Sequence, residues 1–382
     1  MRLKLMRAVC FRWCFRYDKT HKSKQEAGTI PMSDTVYIID AKRTPIGTFL
    51  GGLSTVTAPT LGATAIQGVL EVSRIPAEEI DEVLMGCVLP AGVGQAPARQ
   101  AAIQAGIPYG TGAVTVNKVC GSGLKTVMMG AASIRADEAD LIVAGGMESM
   151  SQVPYYLSKA RQGHRMGHQQ ALDGMIHDGL WDPYNNFHMG NAGELCAKQY
   201  KFSREAQDDF AKESTVRAQQ AIANGSFGDE ITPVSVPQRK GDPILIRTDE
   251  QPGAAKPEKL PKLRPAFDKE GTITAGNASS INDGAAALLL ASEAAVQQHG
   301  LKPMAKIVGS ATHSQAPEWF TTAPVGAIEK VLKKLNLTTE NIDLYEINEA
   351  FAVVAMAAMT ELNLPHDKVN VHGGAVALGH PI

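Results

Sequence analysis

From Thr35 onward, short β-rich runs alternate with helical stretches, and no other feature narrows the possible folds so far. VYIID reads as a strand, LGATAIQGVLEVS as a helix, IDEVLMGCV as a strand and PARQAAIQAG as a helix. AVTVNKV, GSGLKTVMMGAASIRA and DLIVAGG then continue as strand, helix and strand. Strands that are apolar almost without interruption must be buried on both faces, so the alternation predicts an α/β architecture with a mostly parallel sheet under helices. Between Ser151 and Ala266 the rhythm breaks into Gly-, His-, Tyr- and Pro-rich sequence around one amphipathic helix, SREAQDDFAKESTVRAQQAIANG. Ser203 and Gln207 mark its start and Asn224-Gly225 its stop. Excursions of this length inside a compact chain usually form lids or binding surfaces. The rhythm returns with AALLLAS, EAAVQQHG, AKIVGSATH, VGAIEKVLKKLN, IDLYEI, NEAFAVVAMAAMTEL and VNVHGG. VTVNKVCGSGLK rhymes with VNVHGGAVALGH, and this self-similarity predicts duplicated halves related by a pseudo-twofold axis. Cys120 and the end of the chain would then sit at equivalent turns facing one another.

Composition removes several function classes. At 382 residues the chain is long enough for two or three units and a large interior. A net charge of -2 offers no electrostatic footprint for nucleic acid or an anionic membrane. The apolar run AFAVVAMAAM is too short to span a bilayer, which takes about 18 residues or more, and reads as a buried helix. Cys10, Cys14, Cys87, Cys120 and Cys196 form neither an even disulfide framework nor a CxxC pair, so a reducing compartment and no metal are expected. Residues 1–31 carry eight Lys or Arg against Asp18 and Glu26, and their composition clashes with the rest. Met32 looks like a natural start, so the segment reads as an upstream extension and the location as cytoplasmic; the alternative is a mitochondrial transit peptide, which the two acids and the scarcity of Ser argue against.

Cys120 follows the strand AVTVNKV and opens a helix through Gly121-Ser122-Gly123. A lone cysteine is more often an inert filler, but this placement argues otherwise. The positive end of a helix dipole lowers a thiol pKa, and small glycines leave room for a substrate carbonyl beside backbone N–H groups. Those are parts of a covalent acyl-transfer site. Cys87, in a strand, and Cys196, in a helix, have no such turn and are assigned to the core.

NKVCGSGLK, AGGMESMS, LRPAFDKEGTITAGNASSINDGAA, YEINEAFA and NVHGGAVALGHP, in this order, resemble the motifs of the thiolase family, over a stretch from about Asp34 to the last residue. The resemblance implies a duplicated α-β-α-β-α layered fold, with residues 32–150 and 267–382 as the two halves and residues 151–266 as a loop domain that binds coenzyme A and contacts other copies in a homotetramer. It implies acetyl-CoA C-acetyltransfer: two acetyl-CoA condense to acetoacetyl-CoA and CoA, or the reverse, through an acetyl-cysteine, with no cofactor, because the CoA thioesters are substrates. Cys120 would be the nucleophile and His380 the base, a role suited to an imidazole that titrates near neutrality. Asn348 would anchor a water that, with His380, completes an oxyanion hole; the Cys120 N–H would serve a second one. Glu349 is read as a polar support in the same loop. Ser279 would bond the pantetheine arm. His188 and Met189 would flank the acyl pocket, with Leu180, Phe267, Ala350 and Phe351 along its wall.

Two departures qualify the match. Relatives often place an arginine before the LRPAF stretch to meet the adenine; here only Lys256 or Lys259 is on offer. Thiolases also continue past GHP into a segment with a second cysteine that moves the α-proton, whereas this chain stops at Ile382. Loss of such a base lowers rates by about 10²–10⁴, so the chain as written is expected to be nearly inactive. The alternatives are a 3-ketoacyl-CoA thiolase of fatty-acid degradation, against which His188-Met189 argues, and a non-catalytic acyl-CoA-binding protein of the same fold. A ketoacyl synthase would show a second histidine in place of NEAF.

Overall fold

The computed structural model describes residues 35–382; the basic segment, with Cys10 and Cys14, lies outside the described residues. The main sheet contains β1 (Val36–Arg43), β2 (Gly47–Thr48), β3 (Glu82–Gly86), β4 (Gly112–Val116), β5 (Leu141–Ser149), β6 (Asn282–Ser292) and β7 (Ala305–Lys306). Its order is β7-β1-β6-β5-β3-β4, with β2 beside the start of β6.

Helix α1 (Ala58–Ser73) begins at Thr57, whose side chain accepts from the Thr60 N–H, and has Pro59 in its first turn. Helix α2 is Pro97–Gln104 and α3 is Ser122–Arg135. Side chains along a strand alternate between faces, and both faces are filled. Val83, Met85, Leu141, Val143 and Leu289 pack with Ile66 and Val69 of α1 and with α2. Leu84, Ile142, Ala144 and Leu290 pack with Ala131 and Ile134 of α3 on the other side.

The sheet is mixed and not mostly parallel. β3 runs parallel to β4 and β5, whereas β6 pairs antiparallel with both β1 and β5. A strand buried on two faces shows the same apolar run in either direction, so composition carried no sign of this reversal. AALLLAS therefore completes the first sheet. IDLYEI and VNVHGG form no named strand pair but share a parallel bridge between Tyr345 and Val369, with Tyr345 N–H donating to Lys368 O at 2.8 Å and Asn370 N–H to Tyr345 O at 2.9 Å, and the Asn370 side chain bonds the Ile347 backbone.

The second half is mainly helical. After α4 (Met189–Tyr200) and α5 (Arg204–Ala223) come α6 (Glu293–His299), α7 (Ala323–Leu335), α8 (Ala352–Leu362) and α9 (Ala375–Leu378). Ser203 caps α5 by accepting from the Ala206 N–H at 3.1 Å, and Gly225 follows its end with φ 79°, as the start and stop signals predict. Helix α8, the AFAVVAMAAM run, is buried on nearly every side, packing on Phe210 of α5 and on Cys196 of α4. Among the described residues no helix is long and apolar enough to cross a membrane, and no group of three or more His, Cys, Asp or Glu could hold a metal ion.

Candidate active site

The turn from β4 to α3 presents Cys120. Asn117 anchors it: its Nδ2 donates to Val88 O at 3.2 Å and its Oδ1 accepts the Val119 N–H at 3.0 Å. Val119 has φ 49°, a left-handed value that is strained for a β-branched residue. The α3 helix starts two residues beyond Cys120, at Ser122, with Gly121 as its cap.

Desolvation corrects the expectation of a lowered thiol pKa. Cys120 is open to solvent, yet the protein around its sulfur pushes the thiol up to about 11, desolvation outweighing a lowering backbone hydrogen bond. The sulfur therefore rests as a thiol and needs a base as it attacks. Cys87 and Cys196 are buried, as their core assignment predicts; Cys87 Sγ lies 3.7 Å from Glu148 Oε1 and Cys196 Sγ 3.8 Å from Val353 O.

His380 follows α9 across Gly379, whose φ of 107° and contact with the Asn282 side chain leave no room for a Cβ. Asn282 Oδ1 accepts the His380 N–H at 2.9 Å while its Nδ2 donates to Gly47 O at 2.9 Å, so one buried amide ties the histidine turn to the sheet. Asn348 Nδ2 donates to the imidazole Nε2 at 3.2 Å, because an amide nitrogen only donates, and the proton of the neutral ring is on Nδ1. Burial holds His380 down at about 4, so at neutral pH it is an uncharged proton acceptor.

Glu349 is fully buried and does not face a substrate. It accepts from Ser214 Oγ at 2.8 Å, Asn370 Nδ2 at 2.7 Å and the Val376 N–H at 3.1 Å, joining α5, the NEAF loop and α9. These bonds lower its pKa, but desolvation is larger and the net direction is upward. It is the polar support read from the sequence.

The remaining candidates fall into two groups. His188, Met189, Phe267, Ala350 and Phe351 come together: the His188 and Phe267 rings stack at 4.8 Å, Phe267 meets Phe351 edge-on at 6.0 Å, and Met189 and Ala350 pack on the same cluster. His188 Nδ1 accepts the Gly190 N–H at 3.1 Å, which leaves the proton of the neutral ring on Nε2; burial lowers its pKa. Ser279 borders this cluster, its hydroxyl donating to Ala350 O at 2.9 Å, so only its lone pairs remain for a ligand donor. Leu180 sits elsewhere, packed with Val88, Leu89, Met150 and Ile382. That second cluster joins the strand end anchoring Asn117 to the segment that follows His380: a Cβ on Gly179 would touch both Ile382 and Leu89 side chains. The cysteine turn and the histidine turn thus adjoin one patch of core. Lys256 and Lys259 are exposed.

Sequence reasoning passed over Asn117, Glu148 and Asn282. Glu148 accepts from the Val88 and Leu89 N–H groups at 2.7 and 3.3 Å beneath the cysteine turn. A carboxylate inside the apolar strand LIVAGGMES was the available signal.

A layered α/β fold with a cysteine at a strand-to-helix turn and a half-buried histidine paired to an asparagine defines an acyl-transfer enzyme of the thiolase kind. The chain belongs to the thiolase family: residues 36–294 match "Thiolase, N-terminal domain" and residues 301–382 match "Thiolase, C-terminal domain". It is 51% identical over 354 residues to an acetyl-CoA acetyltransferase of Yarrowia lipolytica, covering 93% of this chain and 88% of that one. Among solved structures it is similar to the Acat5 thiolase of Ascaris suum in complex with coenzyme A, with TM-score 0.87 and 43% identity over 91% of this chain and 89% of that one. It is also similar to the acetyl-CoA acetyltransferase of Bacillus anthracis, with TM-score 0.89 and 40% identity over 91% and 88%.

Proposed function

We propose that this chain is an acetyl-CoA C-acetyltransferase in which Cys120 takes the acetyl group and His380 takes the thiol proton. The observation that carries the reading is the neutral, half-buried His380 held against Asn348 at 3.2 Å. A thiol held up at about 11 stays protonated on its own, so its proton passes to the neutral His380 imidazole as sulfur bonds to the thioester carbonyl carbon. The carbonyl oxygen gains charge, met by the Cys120 N–H; the tetrahedral adduct then expels the CoA sulfur, which receives the proton from His380. Acetyl-Cys120 and CoA result. A second acetyl-CoA gives up its α-proton to a base and its enolate attacks that thioester, forming the carbon–carbon bond and expelling Cys120 as a thiolate that takes the proton back.

The aromatic group of His188, Phe267 and Phe351 supports a short acyl chain, because stacked rings leave little length. Residues 151–266 serve as the coenzyme A-binding loop domain, with Ser279 toward the pantetheine. The proposal extends to a homotetramer in the cytoplasm, with exposed Tyr155 and Met166 as candidate contacts; a monomer in light scattering would remove that part.

Mass spectrometry after incubation with acetoacetyl-CoA and CoA tests the core of the reading. One acetyl group on Cys120, absent from Cys120→Ala and slowed by about 10²–10⁴ in His380→Ala, is expected. An unmodified Cys120 in the intact protein sinks it.

A further inference from the structure

Val119 immediately precedes the proposed nucleophile and occupies a backbone region that valine avoids, with φ 49°. Such strain persists only where surrounding contacts over-determine it. Asn117 Oδ1 holds the Val119 N–H at 3.0 Å, and the contacts on the other side of the residue converge on one hydroxyl. Ser122 Oγ accepts the Lys118 N–H at 2.8 Å and donates to Val119 O at 2.6 Å, spanning the strained residue from both sides. The Ser122 N–H also donates to Val119 O at 3.0 Å. Ser122 is itself tightly packed: it is 3% exposed, and a Cβ on Gly86 would lie 2.7 Å from its Cβ and 2.9 Å from the Gly123 nitrogen, so the helix start is pressed onto the end of β3.

We propose that Ser122 is a positioning residue for acyl transfer: its hydroxyl clamps the turn, keeps Val119 left-handed and thereby aims the Cys120 sulfur. It touches neither substrate nor the reacting atoms. The inference rests on Cys120 being the nucleophile. Without the clamp, Val119 relaxes toward extended backbone and Cys120 turns with it.

The test compares wild type, Ser122→Ala, Val119→Gly and the double variant, measuring the acetylation rate of Cys120 against acetyl-CoA concentration and the crystal structures of the variants. Glycine tolerates the left-handed region, so it removes the need for the clamp. Ser122→Ala is expected to slow acetylation at saturation by about fivefold to a hundredfold, the range that strain of this kind corresponds to, with KM unchanged. In the Val119→Gly background the same Ser122→Ala change is expected to slow acetylation far less. A serine that only supports the fold predicts equal losses in both backgrounds, and that result overturns the proposal, as does wild-type acetylation by a folded Ser122→Ala. Should Ser122→Ala fail to fold, Ser122→Cys carries the same comparison. If wild type shows no acetyl-Cys120, the nucleophile assignment fails, while Val119 staying left-handed in the Ser122→Ala structure fails the clamp separately.

Discussion

Replacing Glu148 by glutamine isolates one carboxylate whose proton is linked to folding. Glu148 is 1% exposed, and burial pushes its pKa up to about 7, against lowering by the Val88 and Leu89 N–H groups. In the unfolded chain it titrates near the usual 4.3. Between those values the folded protein holds a proton that the unfolded chain has lost, so stability is present below about pH 4.3 and declines as pH rises through about 7. At roughly 1.36 kcal/mol per pKa unit, the loss by pH 8.5 is on the order of 3 kcal/mol. Glutamine keeps the shape: its Oε1 can accept both backbone N–H groups while its amide faces the Cys87 sulfur now 3.7 Å from Oε1. Thermal unfolding of wild type and Glu148→Gln across pH 5 to 8.5 reads the difference, since titrations common to both cancel. The smallest difference at pH 5 and an advantage of the variant that grows toward pH 8.5 are expected. Parallel curves across the range would refute the linkage, and a variant less stable at pH 8.5 would reverse its sign.

Two further outcomes follow from the site. Glu349→Ala strands three buried donors, on Ser214, Asn370 and Val376, and is expected to lose about 3–5 kcal/mol in denaturant unfolding along with most acetylation; a change under about 1 kcal/mol contradicts the network. For His380, the folded value of about 4 lies below the unfolded 6.5, so the base stays neutral, and its contribution to stability stays present, until pH falls through that interval. The acetylation rate of Cys120 should therefore show its acid break near 4, and a break near 6.5 would contradict the burial of the ring.

The cysteine turn was legible because strand, glycines and helix each leave a local mark, and the same holds for the capped helix begun at Ser203. Strand direction was not legible. β6 reads as the apolar run AALLLAS whichever way it enters the sheet, and only its partners, some 140 residues before it on β5, decide. The thiol pKa went the other way from the helix-dipole argument because desolvation depends on atoms brought in by the fold, whereas the dipole argument used only neighbours in sequence. The aromatic group of His188, Phe267 and Phe351 is spread over more than 160 residues, and no spacing rule joins such positions; the family resemblance named them together. Glu148 carried a visible mark, a charge in an apolar strand, but its partners at Val88 and Leu89 become neighbours only through parallel pairing.

The placement of β6 also bears on how the molecule is made. Among the described strands it alone pairs with both β1 and β5, so β1 joins the β5-β3-β4 block only once Asn282–Ser292 has been synthesised. Until then a ribosome-bound chain carries two unfilled hydrogen-bonding edges and the apolar faces of α1 and α3 half covered. Closure across so long a span of sequence is slow, and the nascent protein is a natural client for chaperones during that interval.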